Sequence, residues 1–321
     1  MRDHPIARRE ALRRAALAAA GLALLPTAEA SAEAAAEAAA QPAPALLTRP
    51  IPSSGERIPL IGIGTARRYE SAPSEAERAP LREVLRELPR LGGRLVDTAP
   101  SYGDAEAIVG ALVAELGNRD RLFLATKVGR GRQGRDAGLA EIEESFRKLR
   151  TPRIDLLQIH NLGGVEAMLP ALREMKQAGR IRYLGISTSF DGQYDALEAL
   201  LRKEAIDVVQ VDYALDNRGV EARLLPAAQE RGVAVLTNLP FGRGRVFEKL
   251  GTQPIPDWAR ELGIATWAQF ALKWVVSHPA VTCAIPGTSK LTHLADNLGA
   301  ARGPLPDEAT RKRMAAMVDA A

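Results

Sequence analysis

Cysteine is nearly absent. Cys283 is the only one in 321 residues, so no intrachain disulfide can form and no cysteine-based zinc site can be assembled. Histidine is scarce as well. The four present, His4, His160, His278 and His293, include no pair at the spacing by which a helix presents two metal ligands, so no metal centre is expected. No run is long enough for a stable membrane span: the apolar stretch from Ala15 to Leu25 falls well short of one. Neither sign of charge dominates. Forty-three basic and 39 acidic side chains leave +4, of which residues 1–30, with five arginines against Asp3, Glu10 and Glu29, contribute +2. The remaining +2 is too small a basic excess for a nucleic-acid footprint. What is present is an ordinary globular balance, 46% hydrophobic and 26% charged, which supplies a sizeable core and excludes a disordered or collagen-like chain.

The N-terminus reads as a targeting segment. It is arginine-rich through Arg14, apolar from Ala15 to Leu25, and closes on Ala28-Glu29-Ala30, an A-x-A cleavage pattern. Ala7-Arg8-Arg9-Glu10-Ala11-Leu12 resembles the twin-arginine export motif, with Ala7 where a polar residue is usual, and Arg13-Arg14 offers a second pair. This resemblance implies a signal peptide over residues 1–30, the twin-arginine export machinery as a partner and a periplasmic mature protein. An amphipathic Arg/Ala helix or an organelle transit peptide is the alternative. Residues 31–45, rich in Ala, Glu and Pro, read as a linker, and residues 46–321 as a single domain.

From Pro59 onward, short runs rich in Val, Ile and Leu alternate with stretches of helical period, the pattern of βα units and a parallel sheet. Eight runs are visible: Leu60–Gly64, Arg94–Thr98, Leu122–Val128, Ile154–Asn161, Tyr183–Thr188, Val208–Tyr213, Val233–Asn238 and Val281–Pro286. Between them lie helical patterns such as Leu139–Leu149, with Leu139, Ile142, Phe146 and Leu149 on one face, and Met168–Ala178. Eight strands at this density match a closed (β/α)₈ TIM barrel better than an open six-stranded sheet.

In such a barrel the chemistry sits where strands end and βα loops begin. Asp97 ends the second run, in Val96-Asp97-Thr98-Ala99-Pro100-Ser101-Tyr102-Gly103, and Tyr102 follows on its loop. Lys127 ends the third, in Ala125-Thr126-Lys127-Val128, and His160 ends the fourth, in Leu157-Gln158-Ile159-His160-Asn161. Taken singly, these would be a helix cap, a packing tyrosine, a solvated lysine and a satisfied core histidine. Together, at three successive strand ends, they resemble the Asp, Tyr, Lys, His tetrad of the aldo-keto reductases, enzymes that transfer hydride between a nicotinamide cofactor and a carbonyl.

The resemblance runs from about residue 56 to 300. It includes Leu60-Ile61-Gly62-Ile63-Gly64-Thr65, Ile181-Arg182-Tyr183-Leu184-Gly185-Ile186-Ser187, Gln210-Val211-Asp212-Tyr213, Leu239-Pro240-Phe241-Gly242-Arg243-Gly244, and Ile285-Pro286-Gly287-Thr288 leading to Asn297. It implies a hairpin over Ile51–Ile58 that plugs the barrel floor. For catalysis it implies Tyr102 as proton donor to the alkoxide left by hydride addition. The chemistry fits, because a free tyrosine near pKa 10 is poorly matched to neutral pH unless a cation lies close. Lys127 supplies that cation, Asp97 keeps it protonated against desolvation, and His160 orients the carbonyl oxygen. Carried over position by position, Gln210 serves the nicotinamide amide, Tyr213 stacks on its ring and the Gly242 loop holds the pyrophosphate. The last loop and the helix start after it take the adenosine end through backbone N–H groups. Gly64, Thr65, Ser187, Leu239, Phe241 and Gly244 complete the cofactor contacts. After Ser187 the family commonly has Asn, whereas this chain has Thr188, which weakens the expected amide contact. Ser289, Lys290 and His293 stand where the family contacts an adenosine 2′-phosphate, which points to NADPH, with NADH as the alternative. In this family the loop after the fourth strand and the C-terminus set specificity. Here the chain ends soon after a helix expected over Pro306–Ala320, which implies an open cleft for many aldehydes or ketones.

Other readings compete. Gly129-Arg130-Gly131-Arg132-Gln133-Gly134 satisfies G-x-G-x-x-G and has Asp155 some twenty residues on. It follows the third strand of eight, however, whereas a Rossmann phosphate loop opens the first βα turn. An arginine-rich loop bordering the cleft, or facing solvent, suits that place better. Cys283, in an apolar run, reads as a buried hydrophobe, and Trp258, Trp267 and Trp274 as partly core. Two other functions stay open: a Schiff-base lyase armed by Lys127, which Asp97 opposes, and a catalytically idle nucleotide-binding regulatory subunit, which the complete tetrad opposes.

Overall fold

Strand residues alternate between two apolar environments, and that alternation positions everything else. In the computed structural model, which describes residues 45–251 and 253–321, the eight expected runs form one parallel sheet: β3 (Ile63–Gly64), β4 (Leu95–Asp97), β5 (Phe123–Val128), β6 (Ile154–Ile159), β7 (Ile181–Ser187), β8 (Val208–Asp212), β9 (Ala234–Asn238) and β10 (Val281–Ala284), paired in that order. The sheet closes on itself. Parallel bridges Ile61↔Ala284 and Gly64↔Gly287 join its two ends, with Gly62 N–H donating to Ala284 O at 2.9 Å and Ala284 N–H to Leu60 O at 2.8 Å. The architecture is a (β/α)₈ barrel. The expected signal peptide, residues 1–30, and all but the last residue of the expected linker, residues 31–45, lie outside the described residues.

One residue of each pair points to the axis, where Leu95, Phe123, Ala125, Leu156, Val208, Ala234, Leu236, Cys283 and Ile285 form the inner core. The other points to the helices, where Val96, Leu124, Leu157, Leu184, Val209, Val211 and Val235 join the outer core. Cys283 is fully buried on the inner side, as expected of a hydrophobe, and burial pushes its thiol up. The floor is sealed by an antiparallel hairpin, β1 (Thr48–Pro50) with β2 (Arg57–Pro59), which sends Ile51 and Ile58 into the inner core. Glu56 at its turn accepts from the Tyr183 hydroxyl at 2.7 Å, and Tyr183 in turn stacks on Phe123.

The helices cover the outside where their apolar faces require it. They are α1 (Glu75–Glu87), α2 (Ala105–Leu116), α3 (Arg135–Leu149), α4 (Val165–Gln177), α5 (Tyr194–Lys203), α6 (Leu224–Glu230), α7 (Arg245–Leu250), α8 (Asp257–Arg260), α9 (Trp267–Ser277), α10 (Leu291–Gly299) and α11 (Glu308–Asp319). Ser74 starts α1 with a capping box, accepting from Glu77 N–H while the Glu77 carboxylate accepts from Ser74 N–H. α3 buries Ile142, Phe146 and Leu149 of its expected face, with Leu139 at the margin. α11 starts after Pro306, because Asp307 caps it by accepting from Thr310 N–H at 2.8 Å. Trp274 is buried, while Trp258 and Trp267 pack against the core from its edge.

Candidate active site

β4 ends on Asp97 and β5 nearly ends on Lys127, both on the inner face, so their side chains meet inside the barrel mouth. Lys127 Nζ donates to Asp97 Oδ1 at 2.6 Å and to Thr98 O at 2.9 Å. The pair is sealed from water, with 1% of the Lys127 side chain and 4% of that of Asp97 exposed. The second Asp97 oxygen accepts from Gln210 Nε2 at 3.0 Å and from Gln158 Nε2 at 3.3 Å. Burial works against the Lys127 charge, but the Asp97 carboxylate and then the Tyr102 hydroxyl outweigh it and hold the ammonium above the usual lysine range. A lysine held protonated is a poor nucleophile, which removes the Schiff-base reading its main support.

Tyr102 reaches this pair from the β4 loop. Gly103 makes that possible: its φ is +58°, and a Cβ there would stand 2.5 Å from Glu70 O, so only glycine lets the loop lie against that backbone. The Lys127 ammonium is 5.2 Å from the centre of the Tyr102 ring, and His160 meets the same ring edge-on at 6.0 Å. Burial first, then the charges of Lys127 and Arg132, push the His160 imidazole down to about 3, so it is neutral at physiological pH. A neutral imidazole can donate one hydrogen bond without competing for the proton. Among the described residues, no cluster could hold a metal ion.

Asp97, Tyr102 and His160 form the inner end of a cavity of about 540 Å³ that also touches Gly64, Ser187, Gln210, Leu239, Phe241, Gly244 and Gly287. Gly242 lines a smaller, contiguous hollow of about 320 Å³ beside Asp212 and Asp216. These expected residues are therefore brought together. Others are not. Thr65, Thr188, Pro286, Thr288 and Asn297 are buried away from the cavity: Thr188 bonds Gln193 at 2.6 Å, Asn297 bonds Thr288 at 3.1 Å, and Pro286 O accepts from Gly64 N–H in the barrel seam. Ser289 is half-buried, and Lys290 and His293 are exposed, at the start of α10.

Tyr213 requires a correction. It is fully buried in the outer core, packed on Trp274 at 4.9 Å, with its hydroxyl bonded to Glu221 and Arg311, so it cannot stack on a ring in the cavity. The reason is parity. Gln210 faces the axis, and a residue an odd number of positions further along the strand direction faces the helices. The G-x-G-x-x-G segment is likewise not a phosphate loop. The Glu141 carboxylate already accepts from Gly129 N–H at 2.6 Å and Arg130 N–H at 2.8 Å, the donors an anion would need.

The structure adds residues not anticipated from the sequence: Asn161, Ser189, Asn238, Arg67, Arg68 and Arg243 also line the cavity. Asn238 was accessible in principle, since it shares the parity of inward Leu236. Arg67 and Arg243 adopt φ of +58° and +60°, which no local pattern announces.

Residues 60–316 match the model of the aldo/keto reductase family, and the chain belongs to that family. Among its relatives, methylglyoxal reductase YeaE of Escherichia coli (strain K12) is 31% identical over 246 residues, 75% of this chain and 84% of the relative. Pyridoxine 4-dehydrogenase of the same organism is 32% identical over 247 residues, 70% of this chain and 82% of the relative. A solved aldo-keto reductase from Klebsiella pneumoniae in complex with NADPH superposes with a TM-score of 0.70 at 28% identity, over 84% of this chain and 94% of that one.

Proposed function

We propose that this protein reduces aldehydes or ketones to alcohols with NADPH, Tyr102 delivering the proton. The observation that carries this reading is the buried Lys127–Asp97 pair at 2.6 Å placed beside Tyr102 and a neutral His160.

The cavity suits a dinucleotide on its own evidence. Among the described residues, the buried Asn238 Oδ1 has no hydrogen-bond partner, and the guanidiniums of Arg67, Arg68 and Arg243 line the cavity without an acidic partner. An orphaned amide oxygen suits a carboxamide donor, and unpaired guanidiniums suit phosphates. A bound nicotinamide supplies the hydride. Gln210 and Ser187 are the side chains for the carboxamide. Asn161, on the cavity wall with its N–H 3.3 Å from Ser187 Oγ, provides the amide that Thr188 does not. Arg67, Arg68, Arg243 and the Gly242–Gly244 turn take the pyrophosphate, and Ser289, Lys290 and His293 the adenosine end.

His160 donates to the carbonyl oxygen and fixes it near Tyr102. Tyr102 passes its proton to that oxygen as negative charge develops. Lys127 favours the tyrosinate left behind, and Asp97 keeps Lys127 charged throughout. Export by the twin-arginine route, with cleavage after Ala30, belongs to the same reading: a chain carried folded can cross with its cofactor already bound.

A panel of aldehydes and ketones assayed with NADPH and with NADH tests the proposal. Turnover of at least one carbonyl with NADPH is expected. Tight NADPH binding without turnover across the panel would favour an idle regulatory protein.

A further inference from the structure

The segment Gly129–Gly134 has no part in the reading above, yet it is built with care. After β5 it is clamped twice. Glu141 accepts from its first two N–H groups, and its middle residue interlocks with the loop that follows His160. A Cβ at Gly131 would stand 2.9 Å from Gly163 O, and one at Gly164 would stand 2.1 Å from the Gly131 carbonyl carbon. Only glycines allow this backbone-on-backbone contact. The β5 and β6 loops are thereby locked together at the barrel mouth.

The lock presents one side chain. Arg132 Nη2 lies over Gly163, 3.2 Å from where a Cβ at that position would sit, and Gly163 N–H bonds back to His160 O at 2.9 Å. The neighbouring arginines are neutralised: Arg135 pairs with Glu174 at 2.6 Å and Arg130 faces Glu141 at 3.9 Å. Arg132 is exposed and, among the described residues, has neither an acidic partner nor a side-chain hydrogen bond. Its charge is close enough to His160 to act on that imidazole. The acids lining the cavity are Asp97, already committed to Lys127, and Glu70.

Resting on the reductase reading, we propose that Arg132 is a specificity-determining residue that binds a carboxylate or phosphate group carried by the carbonyl substrate. The Arg132 guanidinium, outside the cavity lining but over Gly163 in the loop that follows His160, can take an anionic group bidentately, fixing the far end of a substrate that extends past that loop while His160 fixes the oxygen. The same chemistry exists on the cofactor's phosphates, so the test separates the two sources.

The experiment compares 4-carboxybenzaldehyde with its methyl ester, methyl 4-formylbenzoate, as substrates of the wild type and of Arg132→Gln, Arg132→Lys and Arg132→Glu. The wild type is expected to favour the carboxylate in kcat/KM, with a preference that shrinks as salt rises. Arg132→Gln should lose about tenfold or more on the carboxylate, mainly through KM, and stay within about twofold on the ester. Arg132→Lys should recover part of the loss, and Arg132→Glu should reverse the preference. NADPH affinity by fluorescence titration should not change in any variant. Equal losses on both aldehydes, a wild type indifferent to the carboxylate, or a weakened NADPH affinity in Arg132→Gln would each overturn the assignment, the last by giving Arg132 to the cofactor. Failure of the wild type to reduce either aldehyde or any carbonyl in the wider panel would instead count against the reductase reading itself.

Discussion

Gln210 and Tyr213 leave the end of one strand in opposite directions: the Gln210 amide donates to Asp97 at 3.0 Å inside the barrel, while the Tyr213 hydroxyl accepts from Arg311 at 2.7 Å among the helices. Tyr213→Phe should therefore act on stability. Loss of the hydroxyl leaves Arg311 and Glu221 with one partner fewer, and a cost of about 1–3 kcal/mol is expected in denaturant unfolding. NADPH affinity should stay within about twofold. A variant of unchanged stability and weakened cofactor binding would return Tyr213 to the site.

Tyr102→Phe removes the proton donor and almost no volume. Carbonyl reduction should fall by about 10²–10⁴-fold while NADPH binding persists. Stopped-flow single turnover and fluorescence titration measure the two separately. Full turnover in this variant would refute the mechanism.

His160 ties stability to pH. Its folded value of about 3 lies below the ordinary 6.5, so between these limits the unfolded chain binds the extra proton. Stability is then complete above about pH 6.5 and is lost as pH falls toward 3. His278, pushed to about 4 by burial and then by Arg311, acts in the same direction. The melting temperature should decline on acidification between about pH 7 and 4, and His160→Asn should flatten that decline. Parallel curves for the two proteins would contradict the neutral buried imidazole.

Lys290 is exposed at the N-terminal boundary of α10, where free N–H groups and a cation together favour a phosphate. Lys290→Ala should weaken NADPH several-fold more than NADH, raising the ratio of the NADPH to the NADH dissociation constant. An equal effect on both cofactors would place the 2′-phosphate elsewhere.

The proposed export reading assigns the signal to Arg8, Arg9, Arg13 and Arg14, and all four must be changed to test it because either pair can serve. Changing all four to Lys should leave an active, full-length precursor in the cytoplasm, and the unaltered chain should appear in the periplasmic fraction cut after Ala30. A wild-type chain found wholly cytoplasmic with residues 1–30 intact would reject the export reading and leave the enzyme assignment standing.

The order of βα units, the eight runs, the parity of each strand and the Asp97, Tyr102, Lys127, His160 set were all determined by the sequence alone. A period of two and a strand-end position are local properties, written in neighbouring residues. Parity even held the answer for Tyr213, three residues beyond inward Gln210. Tertiary structure decided what depends on residues far apart in the chain. It gave the donors of Gly129 and Arg130 to Glu141, laid Arg132 over Gly163 without an acid among the described residues, and put Asn161 next to Ser187, where Thr188 turns away. Such facts belong to loops. A loop's side chains point where its backbone is clamped, and the clamps here, Gly131 against Gly163 and Gly164, join segments of two different strands brought together only when the barrel closes.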